Sequence, residues 1–311
     1  MSNILLIGGA GFIGSNIISH LVGQDNHNIS VVEPVFASLH RLKGMKVKIH
    51  RCDIGNIDKL ESIITEDSID TIIHLVSTII PGSSFDDYQK EFTDVIFPSI
   101  RLMELCCQRN IKFVYFSSGG TVYGDRKGKV LPFKEDCPMA PISYYGWSKQ
   151  MMENSILYMH RTQNLQYIIF RPSNPYGKGQ NLYGKQGLIA VALGKVLAKE
   201  HVQVWGDGST VRDYIYADDL GKSVVDVLSL NDVINVTLNI GSGEGYSINQ
   251  IIGYLKVIVK EEIIVDYIEG RKSDVSSVVL DTSLLSSLID FRPISICDGI
   301  GKFYQDVVNG K

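Results

Sequence analysis

Residues 3–17 read NILLIGGAGFIGSNI. A short apolar run, Asn3–Ile7, meets glycines at once and then a stretch at helical spacing, Gly11–Val22. Gly8, Gly11 and Gly14 stand at G-x-x-G-x-x-G spacing. Strand, tight turn and helix start in that order predict a βα unit. Its backbone N–H groups, at the turn and at the helix N-terminus, can approach a pyrophosphate. Gly8, Gly11, Phe12, Ile13 and Gly14 are therefore candidate dinucleotide contacts. A glycine turn alone says little; the strand before it and the helix after it give it meaning.

The same alternation continues along the chain. Apolar runs at Ile29–Val32, Val47–His50, Thr71–Leu75, Lys112–Phe116 and Tyr167–Phe170 alternate with helical stretches at Ile57–Thr65, Tyr88–Gln108 and Tyr145–Arg161. The runs are continuous and β-branched, which suits strands buried on both faces. The expected fold class is α/β, a doubly wound parallel sheet of the Rossmann kind. After Arg171 the pattern loosens into RPSNPYGKGQNLYGKQG. Mixed pieces follow: a helix near 187–199, a strand near 203–205, a helix near 219–230, and a strand and turn in INVTLNIGSG. This predicts a dinucleotide-binding domain of residues 1–171 plus about 213–240. A smaller, discontinuous α/β substrate-binding region takes about 172–212 and 241–311, over the carboxyl edge of the sheet.

The bulk numbers exclude several classes. The chain has 311 residues, 44% of them hydrophobic, enough for a sizeable core. Net charge is −4 with no long basic run, so nucleic acid is not an expected partner. Arg126, Lys127 and Lys129 read as a solvated loop. No stretch approaches the roughly 18 apolar residues of a membrane span, and the start of the chain lacks the charged n-region of a signal peptide. Five cysteines stand at 52, 106, 107, 137 and 297, without CxxC or Cys/His spacing. No metal site is expected, and a reducing, cytoplasmic compartment is.

Two acidic residues belong with the glycine turn. Glu33 ends the second strand, 19 residues after Gly14. A carboxylate there suits adenosine ribose hydroxyls and repels a 2′-phosphate, favouring NAD over NADP. In RCDIGN, Asp53 and Ile54 follow the third strand, where Asp53 can accept from the adenine amino group. Further on, Tyr145 and Lys149 lie four apart on a predicted helix and so share a face. An ammonium beside a phenol favours the phenolate, so the pair predicts a base working near neutral pH. A Tyr-x-x-x-Lys alone is a common surface pair. Behind a dinucleotide turn it becomes a catalytic candidate.

Taken as an ordered set, GGAGFIG, RCDIGN, IIHLVS, SSGGTVYGD, YYGWSK, RPSNPYG, VWGDGSTVRDYIYADDL, LNIGSG and GRKSDV resemble the extended short-chain dehydrogenase/reductase family, in particular its nucleotide-sugar epimerases. The resemblance covers nearly the whole chain. It implies bound NAD, a nucleotide-diphosphate sugar as substrate, and 4-epimerisation in which Tyr145 removes the 4-hydroxyl proton while Lys149 holds the nicotinamide ribose. It places Leu75, Val76, Ser77 and Ser117 along the cofactor, Pro172 near the nicotinamide and Asn174 near the substrate diphosphate. Leu188, Val204 and Trp205 fall where the nucleobase packs. Arg212, Arg271 and Asp274 fall around the diphosphate and sugar nucleotide, where arginines bind phosphate bidentately. Val278, four after Asp274, stands where a bulky tyrosine restricts the pocket to plain hexoses; valine implies room for an N-acetyl group. A homodimer through helices 88–108 and 145–161 is likewise implied.

The chain departs from the family at two places. A Ser or Thr usually stands three before the Val of VYG, bridging sugar and tyrosine; here it is Gly119. Thr121 and Ser118 are the substitutes at hand, Thr121 the favoured one. Gly119-Gly120-Thr121 also lacks the Asp/Glu pair that marks sugar 4,6-dehydratases. The asparagine often found near position 94 or 95 is absent too. A nucleotide-4-keto-6-deoxysugar reductase using NAD(P)H is the alternative on the same fold, and a non-catalytic nucleotide binder the alternative from another class.

Overall fold

A computed structural model describes residues 2–125, 132–184, 186–230, 232–270 and 275–310. Strands β1 (Ser2–Ile7), β2 (His27–Glu33), β3 (Lys48–Arg51), β4 (Thr71–His74), β5 (Lys112–Phe116) and β6 (Tyr167–Pro172) alternate with helices α1 (Phe12–Gly23), α2 (Ile57–Glu66), α3 (Phe85–Glu91), α4 (Phe97–Arg109), the short α5 (Gly119–Val122) and α6 (Tyr144–Gln163). Then come β7 (Asn174–Tyr176), α7 (Leu188–Leu197), β8 (Val202–Trp205), β9 (Val211–Tyr216), α8 (Ala217–Leu228), β10 (Val236–Ile240), β11 (Gly245–Ser247), α9 (Ile248–Val259), β12 (Val265–Ile268), β13 (Ser277–Val278), α10 (Ser283–Leu288) and α11 (Ile296–Asn309).

Seven strands form one sheet in the order β10-β6-β5-β4-β1-β2-β3. The chain starts in the middle, winds outward through β2 and β3, then crosses to β4 and winds the other way. That reversal leaves a crevice at the carboxyl ends of β1 and β4, the place where open α/β sheets bind ligands. Every residue of β4 and of β6 is buried, as their continuous apolar runs predict. Leu5, Ile72, Phe113 and Ile169 from the strands pack with Met103, Met152 and Ile156 from the helices in one core.

The chain divides into two compact units: Met1–Ser118, Ser143–Arg171 and Gly221–Leu238 make the first, and Gly119–Ile142, Pro172–Leu220 and Asn239–Lys311 the second. Residues 119–142, expected with the cofactor half, cluster with the second unit. The reason is visible at Phe133, whose N–H donates to the Val279 carbonyl (2.8 Å) and whose ring sits in an apolar cluster with Tyr123, Val275 and Leu280. The return to the first unit comes at Gly221 rather than at about 213, so residues 213–220 stand in the second.

The single helix expected over 88–108 is interrupted. A wide π-turn, Phe92–Ile96, separates α3 from α4. Pro98 explains the break, because it has no N–H to donate back to residue 94 and disfavours a regular helix before it. No helix among the described residues is long and apolar enough to cross a membrane.

Candidate active site

The glycine turn sits at the carboxyl end of β1. Gly8 has φ +82°, a conformation side chains rarely adopt, and a Cβ there would lie 3.0 Å from Val76 Cγ2. A Cβ on Gly14 would lie 2.5 Å from the Gly9 carbonyl oxygen, so α1 can pack this close only with glycine. Phe12 and Ile13 are half-buried in the first turn of α1. Glu33 is buried at the end of β2 and accepts a 2.5 Å hydrogen bond from the Ala10 N–H, inside the turn. Burial raises its carboxyl, opposed by that hydrogen bond and by Arg51. Asp53 is exposed and accepts from the Gly55 N–H at 2.9 Å, while Ile54 beside it is buried. Leu75, Val76 and Ser77 are half-buried beyond β4. A backbone cradle that a single methyl would fill, with a carboxylate locked into it, fits a dinucleotide and opposes an extra phosphate on its ribose.

Lys149 is 4% exposed. Its Nζ donates to the Phe116 carbonyl at 3.0 Å and lies 5.5 Å from the Tyr145 ring centre and 5.1 Å from that of Tyr115. Burial pulls the ammonium down to about 8, with Glu91 and Glu153 acting the other way. Tyr145 keeps part of its surface exposed, but its hydroxyl lies deep. Burial pushes that phenol up to about 12; a hydrogen bond from the Ser118 hydroxyl opposes the rise and the Glu91 carboxylate adds to it. The expectation of a phenol already lowered by Lys149 is therefore corrected for the protein alone. The ammonium sits over the ring, and desolvation wins. Ser118, rather than the favoured Thr121, is the hydroxyl that reaches Tyr145.

Behind the pair lies a buried ion pair that the motif reading passed over. Glu153, fully buried, meets Arg171 Nη2 at 2.7 Å and Nε at 3.0 Å. The Ser117 hydroxyl also donates to Glu153, so Ser117 faces this pair with its side chain. Tyr145, Lys149 and Glu153 recur every four residues, and that spacing was a signal for Glu153. His74 is buried too. Its Nε2 donates to Ser99 Oγ (2.8 Å), which donates onward to the Val95 carbonyl (2.6 Å). Burial and the nearby ammonium lower His74 to about 3, so it stays neutral. Glu91, also missed, is 2% exposed. Its signal was an acid three after Tyr88 on a buried helix stripe. Among positions 94 and 95, Asp94 is exposed and Val95 is buried.

The second unit holds a cavity of about 370 Å³ lined in part by Asn174, Leu188, Lys195, Gln203, Trp205 and Arg212. It brings together four of the predicted substrate residues. Asn174 Nδ2 donates to the Asp213 carbonyl (2.8 Å), and Arg212 Nη1 to the Val211 carbonyl (2.8 Å). The Asp213 side chain accepts from Ser242 and Gly243 N–H groups and from Leu280 N–H, fixing the strand that carries Arg212. Along β8 burial alternates, Val202 and Val204 buried and Gln203 and Trp205 exposed; Val202, Gln203 and Trp205 line the cavity, and Val204 packs in the core of the second unit. Pro172 is buried at the end of β6. Val278 is buried among Val122, Tyr123, Phe133 and Leu280. Thr121 Oγ1 is buried with no hydrogen-bond partner among the described residues. Arg271 and Asp274 lie outside the described residues. No cluster of His, Cys, Asp and Glu among the described residues could hold a metal.

Glycine cradle, acidic strand end and a Tyr/Lys pair on α6 define a dinucleotide-dependent protein of the short-chain dehydrogenase class. A family profile matches residues 4–241, and the chain belongs to the NAD dependent epimerase/dehydratase family. A dTDP-4-dehydro-6-deoxyglucose reductase of Escherichia coli is 28% identical, over 98% of both chains. A protein of Methanocaldococcus jannaschii described as a putative UDP-glucose 4-epimerase is 30% identical over 96% of this chain and 95% of its own. The crystal structure of UDP-glucose 4-epimerase with UDP-glucose from Thermotoga maritima matches with a TM-score of 0.91, 29% identity and 99% coverage of each chain. The cofactor is NAD, as the family description says.

Proposed function

We propose that the protein is an NAD-dependent 4-epimerase of a UDP-hexose or UDP-N-acetylhexosamine. The observation that carries this is the buried Tyr145–Lys149 pair with the Ser118 hydroxyl on the phenol, beside a cradle that fits NAD. NAD, held by the Gly8–Gly14 turn, Glu33 and Lys149, would supply the hydride acceptor and donor for the sugar C4. Tyr145 takes and returns the 4-hydroxyl proton. Ser118 donates to the phenolate that forms, and Lys149, held by the Phe116 carbonyl, supplies the positive charge that stabilises it. Arg212 and Asn174 would hold the diphosphate, with Leu188 and Trp205 against the base. Thr121, whose hydroxyl has no partner among the described residues, would meet the sugar. Arg271 and Asp274 would complete the sugar-nucleotide contacts. Val278 in place of a larger aromatic supports acceptance of N-acetylated sugars.

A second reading has its own support. Gly119 removes the usual relay, and a relative matching 98% of the chain is described as a reductase. A 4-ketoreductase needs Tyr145 only as an acid, the form that burial favours. Five free cysteines support a reducing, cytoplasmic setting. Exposed Phe97, Trp147 and Tyr158 on α4 and α6 support a homodimer.

Purified protein, with no cofactor added, is mixed with UDP-GlcNAc, UDP-Glc or a dTDP-4-keto-6-deoxysugar, and the anomeric protons are followed by NMR. Conversion of a UDP-sugar to its C4 epimer is expected. Reduction of the keto sugar only, on adding NADH or NADPH, would replace epimerase with reductase.

A further inference from the structure

Carboxylates are rarely as buried as Glu91 unless something holds them. Its oxygens accept from the Ser77 hydroxyl (2.9 Å), the Thr78 N–H (2.8 Å) and the Thr78 hydroxyl (2.6 Å). All three donors come from the segment leaving β4, at the crevice of the sheet. The same segment carries Val76, against which Gly8 packs. Glu91 is the last residue of α3, and the π-turn begins at the next position, so the helix widens where this carboxylate turns inward. Such turns recur at functional sites. Its charge also reaches across to α6 and β5, where it disfavours ionisation of Tyr145 and Tyr115 and favours the Lys149 ammonium. The other titratable groups around Lys149 are Glu153 on α6 and His74 on β4.

We infer that Glu91 is a positioning residue of the active site: its carboxylate, through three hydrogen bonds, pins Ser77 and Thr78 beside the dinucleotide cradle and brings a buried negative charge to bear on Tyr145 and Lys149. The inference rests on the reading of Tyr145 as the acid/base. The sign follows from charge. With Glu91 anionic, Tyr145 holds its proton and Lys149 its charge to higher pH. Without that anion both groups lose their protons at lower pH.

The test compares Glu91→Gln, which keeps the shape and loses the charge, with Glu91→Asp, which keeps the charge and shortens the reach. Tyr145 ionisation is read from the phenolate ultraviolet band of purified protein, with Tyr145→Phe as the blank. Glu91→Gln should titrate at lower pH than the unaltered protein, and both limbs of its kcat–pH profile should move the same way. Glu91→Asp should leave the limbs in place and lower kcat, by up to about a hundredfold if the segment shifts by about 1 Å, with KM little changed. Identical phenol titrations in Glu91→Gln and unaltered protein would overturn the inference. Because that titration needs no sugar, it stands or falls apart from the epimerase assay. Should Glu91→Gln fail to fold, Thr78→Val at an exposed position strips one donor from the carboxylate. A severalfold loss of kcat is then expected, and an unchanged kcat overturns the positioning role.

Discussion

Ser118 and Thr121 are three residues apart and carry the same kind of oxygen, yet their surroundings separate them. Ser118 bonds to the Tyr145 phenol and favours its ionised form. Ser118→Ala should therefore move the acid limb of kcat to higher pH. Thr121 bonds to nothing among the described residues. Thr121→Val removes a buried hydroxyl that has no partner to lose, so thermal stability should stay level or rise while kcat/KM for the sugar falls. A drop in melting temperature would instead mean that Thr121 is structural. Tyr145→Phe should cost roughly 10²–10⁴ in kcat and leave bound NAD in place, checked by the cofactor released on denaturation. The missing hydroxyl at Gly119 was legible in the sequence. Which neighbour replaces it was not, because chain proximity does not say where a side chain points. Nor was the Tyr145 shift, which depends on depth of burial and on Glu91.

The β1–α1 unit and α6 carry most of the chemistry, and both were readable from spacing. Glycines every three residues and Tyr, Lys and Glu every four are patterns that local geometry alone produces. The misread elements are those ruled by tertiary context. Burial along β8 depends on what packs against it, and the π-turn at Phe92–Ile96, with Pro98 just after it, lies inside a helical pattern. Gly14→Ala should cost about 1–3 kcal/mol, since its methyl meets backbone rather than a side chain that can yield. Urea denaturation would show it as a lower midpoint at unchanged slope. On α6, Glu153→Gln removes the carboxylate that pairs with the Arg171 guanidinium, which is 6% exposed. Breaking a buried pair this way costs about 3–5 kcal/mol, and a loss under 1 kcal/mol in the same denaturation would show that water reaches Arg171.

For the molecule as a whole, the proposed dimer follows from aromatic surface on neighbouring helices. Trp147 is 46% exposed and stacks on Tyr88 at 4.8 Å, and Phe97 is 56% exposed. Trp147→Glu should shift the species seen by sedimentation from two chains to one; a protein already monomeric before substitution would remove the proposal. The α/β class and the existence of a second unit were legible from the change of pattern at Arg171. That residues 119–142 belong to the second unit was not, because long-range partners reveal it, such as Val279 for Phe133 and Asn239 for Tyr123. The order of the segments also bears on how the chain is made. The ribosome finishes β6 before it makes α7, β8 and β9, and β10, the outermost strand beside β6, emerges only after them. The first unit thus waits with an open edge while some sixty residues, 173–235, are synthesised, for several seconds at about 5–20 residues per second. A nascent chain stalled before Val236 should expose that edge to proteases and chaperones, and release past Ile240 should close it.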